Sequence, residues 1–160
     1  MKRILFIVAM FIVTLSATAQ EDIGYHGVGS NADFCAYQFD DENYIILSFK
    51  DDDSNRLTNT PVLKLLLNDG TIIKLSGTEN SKKTRQSMTN WGFGIMSGSS
   101  SEKHFAMFHI TPEEISKLQV GVKKIAINTI PEVYKRSMKN DKLGKPLYDD
   151  FQKKKGDFEE

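Results

Sequence analysis

The sequence has little cysteine, little tryptophan and no excess of charge. Its one cysteine cannot form an internal disulfide, so the fold must be stabilised by packing. Lysine and arginine together number 21, as do aspartate and glutamate, and the formal net charge is zero. This balance argues against nucleic acid and anionic membrane surfaces as partners. Beyond residue 19, no apolar run approaches the roughly 20 residues that a membrane-spanning helix requires.

The first 19 residues have the pattern of an export signal. Lys2 and Arg3 precede an apolar run from Ile4 to Leu15, and Ala17-Thr18-Ala19 has the small residues of a cleavage site. Cleavage near Ala19 leaves 141 of the 160 residues, located in the periplasm or secreted. Removing the two basic residues leaves 19 positive against 21 negative side chains, a net charge of −2. Gln20 stands where a bacterial lipoprotein has its lipidated cysteine, so we expect no lipid anchor.

The rest of the chain consists of short β-type segments separated by turn residues, which is typical of an antiparallel all-β domain. The turn-forming segments 40–43 and 68–70 each separate two apolar segments, so we predict two hairpins. Seven strands are predicted in total, over residues 33–39, 44–50, 62–67, 71–76, 91–95, 104–110 and 122–130. We therefore expect a mainly β fold, either an antiparallel β-sandwich or a partly open barrel of about seven strands.

Two helices are predicted in addition to the strands. Thr111 and Glu114 form a capping box around Pro112, which predicts a short capped helix over residues 112–119. Apolar residues at fourfold spacing predict a C-terminal helix that begins near Pro146: Leu143, Leu147 and Phe151. The predicted organisation is a signal peptide (1–19), a flexible lead-in (20–32), one β-rich domain with the C-terminal helix (33–155) and a frayed tail (156–160).

One segment partly matches a calcium-binding loop. Asp51, Asp53 and Asn55 have the spacing of the first three ligands, whose oxygens converge on a hard cation. Arg56 stands where such a loop needs glycine, and Val62 stands where it needs glutamate. We therefore favour a solvated acidic loop, with a calcium site as the alternative, and we predict no other metal and no cofactor.

Histidine and cysteine offer little for catalysis. Of the three histidines, His26 lies near residue 20, and His104 and His109 are five positions apart in one strand. That spacing places them on opposite faces, which argues against a two-histidine zinc chelate from the strand. Cys35 shares a strand face with aromatic residues, so we expect it to be a buried small hydrophobe. No catalytic residue is predicted.

The candidate binding residues are Lys82, Lys83, Arg85 and Trp91. The basic residues lie in a long polar stretch, 77–86, that we predict to be a loop able to contact a partner. Cations near an aromatic side chain are also typical of nucleic-acid binding, but a net acidic exported chain favours a solvated loop beside a core strand. We expect Trp91 in the core, with a stacking platform for a sugar or a protein as the alternative.

The signal and the C-terminal third resemble a known group of proteins. The signal ends in Ala-Thr-Ala followed by Gln20, residues 110–118 read ITPEEISKL, residues 122–127 read VKKIAI and residues 141–145 read DKLGK. These segments resemble small uncharacterised exported proteins of Bacteroidetes-type Gram-negative bacteria. The resemblance implies residence in the periplasm or on the outer surface and a β-rich fold with a helical end, and it carries no activity.

The lack of a coherent catalytic set leads us to expect a non-enzymatic binding or interaction domain of the bacterial envelope. Two alternatives stay open. The domain could be a periplasmic inhibitor or immunity-type protein that neutralises an antibacterial effector, or a small hydrolase whose site is assembled only in the fold. The expected partner is another envelope or effector protein, or a glycan.

Overall fold

The computed structural model describes residues 24–51, 55–90 and 96–156, with the side chains of all of these except residues 80–102 and 154–156. Ten strands lie in these ranges: β1 (His26–Val28), β2 (Ala32–Phe39), β3 (Glu42–Lys50), β4 (Asn55–Leu57), β5 (Val62–Leu67), β6 (Ile72–Asn90), β7 (Met96–His109), β8 (Val122–Ile127), β9 (Thr129–Pro131) and β10 (Tyr134–Ser137). Eight of them form one antiparallel sheet in the order β1-β2-β3-β7-β6-β5-β8-β10, and β4 pairs with β9. The predicted mainly β fold is therefore confirmed.

Both predicted hairpins are present, and the turn residues explain them. Asp40 and Asp41 join β2 to β3 with positive φ angles of 50° and 61°, a conformation that aspartate tolerates better than most residues. Gly70, between β5 and β6, has a φ of 90°, and the Thr71 N–H donates to Asp69 Oδ1 at 2.8 Å. Each turn therefore sets the register of the strands that follow it.

The eight-stranded sheet curves into a nearly closed barrel, and Tyr134 joins its two edges. The hydroxyl of Tyr134 in β10 donates to the carbonyl of Val28 in β1 at 3.1 Å, and its ring packs edge-to-face on Phe49 at 5.3 Å between centroids. The interior is apolar, because alternate residues of each strand face inward. Fully buried members of this core include Phe34, Leu47, Phe49, Leu63, Leu65, Phe108, Ile125 and Ile127.

Both predicted helices are confirmed. Helix α1 (Pro112–Lys117) continues into a single 3-10 turn (Leu118–Val120), and helix α2 (Gly144–Gly156) ends the described chain. The capping box is present, since Glu114 N–H donates to Thr111 Oγ1 at 3.3 Å and Thr111 N–H donates to Glu114 Oε2 at 3.0 Å. The residues at fourfold spacing are all buried in the core: Leu143, Leu147 and Phe151.

Asp141 holds the start of helix α2 against the barrel. Its carboxylate accepts from the backbone N–H groups of Leu143, Gly144 and Lys145 at 2.7–3.1 Å and from that of Val122 in β8 at 3.1 Å. Burial raises the pKa of this carboxyl, but the backbone donors together outweigh burial, so the net pKa is lowered. The charged form is therefore stabilised by folding.

The prediction of a loop at residues 77–86 is wrong. This stretch belongs to β6, which continues to Asn90, and the serine-rich residues Ser97–Ser101 belong to β7. Pairing between two strands satisfies the backbone N–H and C=O groups whatever side chains the residues carry. The polarity of this stretch was therefore not sufficient evidence for a loop. The strand predicted at 91–95 lies outside the described residues.

Three short strands were not predicted, namely β1, β4 and β10. The expected flexible lead-in, 20–32, contains β1, which pairs with β2. The strand predicted at 122–130 ends at Ile127, and the side-chain oxygen of the next residue, Asn128, accepts from Val62 N–H. The residues after Asn128 form β9, which pairs with β4. The sequence of β4 lacks apolar periodicity, so it did not predict a strand.

Replacing Asp141 with alanine should destabilise the fold. We expect a loss of about 1–2 kcal/mol in the free energy of unfolding at pH 7, comparable to the loss of a helix-capping side chain. Because the folded pKa lies below the ordinary value of 3.8, this contribution is complete above that pH and declines as the pH falls through the folded pKa. Urea unfolding at pH 7 and pH 2 measures both effects. Asp149→Ala, an exposed change in the same helix, is the control; equal losses for the two variants would contradict the interpretation.

Candidate functional site

The hairpin formed by β6 and β7 is much longer than the rest of the sheet. β3 pairs with β7 only as far as Lys50 opposite Lys103, and the β5–β6 ladder extends only to Val62 opposite Ser76. Beyond these points β6 and β7 continue to pair with each other, from Lys83 opposite Lys103 to Asn90 opposite Met96. We call residues 83–90 and 96–103 the arm. At about 3.3 Å per residue, its eight residues in β6 span roughly 26 Å.

The sequence of the arm is polar and basic. Lys83, Arg85 and Lys103 are positive, Glu102 is its one acidic residue, and Lys82 directly precedes it. The β7 side of the arm is rich in small residues, with four serines and one glycine over residues 97–101. Residues 20–160 have a net charge of −2, so the arm concentrates positive charge that the rest of the domain lacks.

A buried histidine lies where the arm leaves the sheet. His104 Nε2 is 2.9 Å from Asp51 Oδ2, and His104 Nδ1 is within hydrogen-bonding distance of Glu79 Oε1. The His104, Asp51 and Glu79 side chains are 7%, 10% and 17% exposed. His104 lies in β7, Glu79 lies in β6 and Asp51 directly follows β3, so one imidazole connects three neighbouring strands. We call these three residues the His104 cluster.

Backbone contacts also fix the base of the arm. The β6–β7 ladder has a register shift between Glu79 and Ser81, and Glu79 N–H donates to the Asn59 carbonyl at 3.2 Å. Two residues earlier, a Cβ on Gly77 would lie 2.6 Å from the Phe108 ring, so only glycine allows β6 to approach β7 this closely. The bulge and this close approach set the path of β6 into the arm.

Each of the three histidines contacts a different carboxylate. His26 Nε2 lies 2.7 Å from Asp150 Oδ2, and His109 Nε2 lies 2.5 Å from Glu42 Oε2. The prediction that His104 and His109 occupy opposite faces is confirmed, since His104 is buried and His109 is exposed. These contacts were not predicted, because residues far apart in sequence form them.

Cys35 is buried, as predicted, but it does not belong to the barrel interior. Phe34 and Ala36 are in the core, so Cys35 lies on the opposite face of β2, where its cross-strand neighbour is Ile46. Burial, together with Cys35 and the Asp33 carboxylate, raises the pKa of the nearby Tyr25 to about 12. This tyrosine is therefore neutral at physiological pH.

Two of the three candidate calcium ligands, Asp51 and Asn55, contact different parts of the protein. Asp51 is in the His104 cluster and also accepts from Leu57 N–H at 3.3 Å, whereas Asn55 Oδ1 accepts from the hydroxyl of Thr129 at 3.3 Å. Asp53 lies outside the described residues. Asp51 thus has a role in the fold that its spacing in the sequence did not indicate.

The structure places three of the four binding candidates in one strand. Lys82, Lys83 and Arg85 follow one another in β6 at the start of the arm, where Lys82 is opposite His104. The fourth candidate, Trp91, lies outside the described residues. A signal for the arm was present in the sequence, because the basic residues are followed by a stretch without proline that can pair with the serine-rich stretch after it.

No family model, curated protein or solved structure matches this chain. In the part of the chain that the structure describes, no helix is long and apolar enough to cross a membrane. Across the same residues, no group of three or more histidine, cysteine, aspartate or glutamate side chains is arranged to hold a metal ion. The candidate site is therefore defined by the arm and by the His104 cluster at its base.

Removing the imidazole should be far more damaging at His104 than at His109. His104→Leu leaves the part-buried carboxyl groups of Asp51 and Glu79 without their imidazole partner and should cost about 1–3 kcal/mol in unfolding free energy. Combining it with Asp51→Asn and Glu79→Gln should restore most of that loss. His109→Leu is the matched control, since it breaks an exposed pair in the same strand and should cost less than about 1 kcal/mol. Urea unfolding measures all three variants, and equal losses for the two single variants would refute the role of the cluster.

Proposed function

We propose that this chain is an exported, non-enzymatic interaction domain of the bacterial envelope, and that it contacts its partner through the arm. The observation that carries the proposal is the continuation of β6 and β7 as a two-stranded ribbon beyond the ends of β3 and β5. A strand with an open edge presents N–H and C=O groups to which another chain can add. The signal-like residues 1–19 support an envelope location.

The base of the arm supports this role. A binding element is more effective when a rigid scaffold holds it, because less conformational entropy is lost on association. Here the His104 cluster, the bulge at Glu79 and the close approach at Gly77 connect the arm to a packed barrel. The barrel therefore acts as the support and the arm as the contact element.

The hydrolase alternative would draw on the same buried histidine. His104 is the one imidazole that the described fold brings next to two carboxylates, Asp51 and Glu79. A general base needs a ring nitrogen that can take a proton from a nucleophile, but here each nitrogen lies against a carboxylate oxygen. The cluster also links three strands. Both facts favour a structural role over a catalytic one.

A periplasmic inhibitor or immunity-type protein is a sharper form of the same proposal. Such a protein needs a projecting element that occupies a surface of its target, and the arm is suited to this. Gene neighbourhood tests this form directly. An effector gene beside this one would support it, and an unrelated operon would leave only the general interaction role.

Shortening the arm tests the proposed function. Lys82 and His104 are opposite each other, so replacing residues 83–103 with Asn-Gly should close the hairpin with a two-residue turn. We expect the tagged mature chain to retain a specific protein from the envelope fraction of the producing bacterium, and the shortened variant to lose it. Thermal unfolding of the shortened variant, within about 5 °C of the parent, shows that the barrel is intact.

A second variant covers the case in which the shortened chain does not fold. Lys83→Glu, Arg85→Glu and Lys103→Glu together reverse the charge of the arm and keep its length. Capture of the same proteins by the parent and by a folded arm variant would refute the proposed function.

A further inference from the structure

Taking the proposed function as its basis, we propose that the arm binds an extended acidic segment of a partner protein, which adds to the arm as a further β-strand. The proposal identifies the chemistry of the partner from two independent properties of the arm. One is the set of backbone groups along its edges, and the other is its charge.

Apart from Lys103, which pairs with Lys50 of β3, both edges of the arm are open among the described residues. β7 has β3 as a neighbour only from Lys103 onward, so residues 96–102 pair with β6 alone. On the other side, the last backbone contacts of β6 with the chain around β5 are made at Gly77 and Glu79, before the arm begins. The outward N–H and C=O groups of both strands can therefore hydrogen-bond to an added strand.

The charge of the arm selects an acidic partner. Lys83, Arg85 and Lys103 outnumber the single acidic residue, Glu102, and Lys82 adds a further positive charge at the base. Lys83 and Lys103 are also opposite each other in register, so two positive residues occupy one rung of the ribbon. Carboxylates on an incoming strand would relieve this like-charge juxtaposition, which is unfavourable in the free arm.

The same charge disfavours pairing between the arms of two copies. Lysine on an exposed strand is a common means of preventing edge-to-edge association, because it places like charges together when identical strands meet. A second copy adding arm to arm would bring both sets of basic residues together. The arm is therefore protected against its own copies and remains open to a strand of opposite charge.

Synthetic peptides test the two properties separately. The acidic probe is a nine-residue peptide that alternates glutamate with threonine and valine. One comparison peptide has lysine in place of every glutamate, and a second has alternate backbone nitrogens methylated, which removes hydrogen-bond donors without changing charge. A heparin fragment serves as a polyanion without a peptide backbone. Fluorescence anisotropy or calorimetry with the mature chain measures each affinity.

Two charge variants give the protein side of the test. The arm variant combines Lys83→Glu, Arg85→Glu and Lys103→Glu. The matched control combines Lys64→Glu, Lys74→Glu and Lys124→Glu, which reverses three exposed lysines on β5, β6 and β8 in the barrel wall. The net charge of the two proteins is then identical.

We expect micromolar binding of the acidic peptide, at least about tenfold weaker binding of both comparison peptides and of the arm variant, and little change for the control variant. Equal affinity for the methylated peptide, or tighter binding of heparin than of the acidic peptide, would overturn strand addition. Strand addition would also be overturned if the control variant lost binding of the acidic peptide as strongly as the arm variant does. If no peptide binds while arm-dependent capture of an envelope protein persists, this inference fails and the proposed function stands.

Discussion

A buried imidazole between two carboxylates is the contact on which the arrangement of the sheet depends. His104, Asp51 and Glu79 come from three strands that are adjacent only in the folded chain, and they meet where β6 and β7 leave the barrel. Removing charged groups from water is costly, so such a cluster is tolerated only when each member has a partner of opposite charge or a hydrogen bond. That requirement couples the three strands, because displacing any one of them separates a largely buried polar group from its neighbours in the cluster. The direction in which the arm extends is therefore set by these side-chain contacts as well as by backbone pairing.

The barrel provides a rigid support for this contact. Tyr134 joins the edge strands by its hydrogen bond to Val28 and its packing on Phe49, while Arg136 lies 5.3 Å from the tyrosine ring and its Nε donates to the hydroxyl. Helix α2 contributes Leu147 and Phe151 to the same core that the strands enclose. An interior packed in this way moves little, so an element attached to it keeps a defined orientation. A barrel that supports a projecting ribbon is a suitable architecture for recognising another protein.

The sequence predicted the parts of this fold that depend on local chemistry. Both hairpins follow from turn residues with positive φ, the first helix follows from Thr111 and Glu114, and the C-terminal helix follows from apolar residues at fourfold spacing. The arm was mistaken for loops because apolar alternation identifies a strand only where one face is buried, and a ribbon needs no such face. The His104 cluster could not be predicted, since its members are 25 and 53 residues apart in sequence and only the strand order brings them together. Of the candidate site, the basic residues were identified, but their placement in a strand was not.

Hydrogen exchange of individual backbone amides, followed by NMR on residues 20–160, tests most directly the claim that the arm is a paired ribbon with open edges. Within residues 83–90 and 96–103, amides that donate across the ribbon should exchange at least about tenfold more slowly than in an unfolded chain, whereas the alternating amides along the open edges should exchange quickly. This alternation is the predicted result. Uniformly fast exchange over both segments would contradict the ribbon, and uniformly slow exchange would show that its edges are already covered.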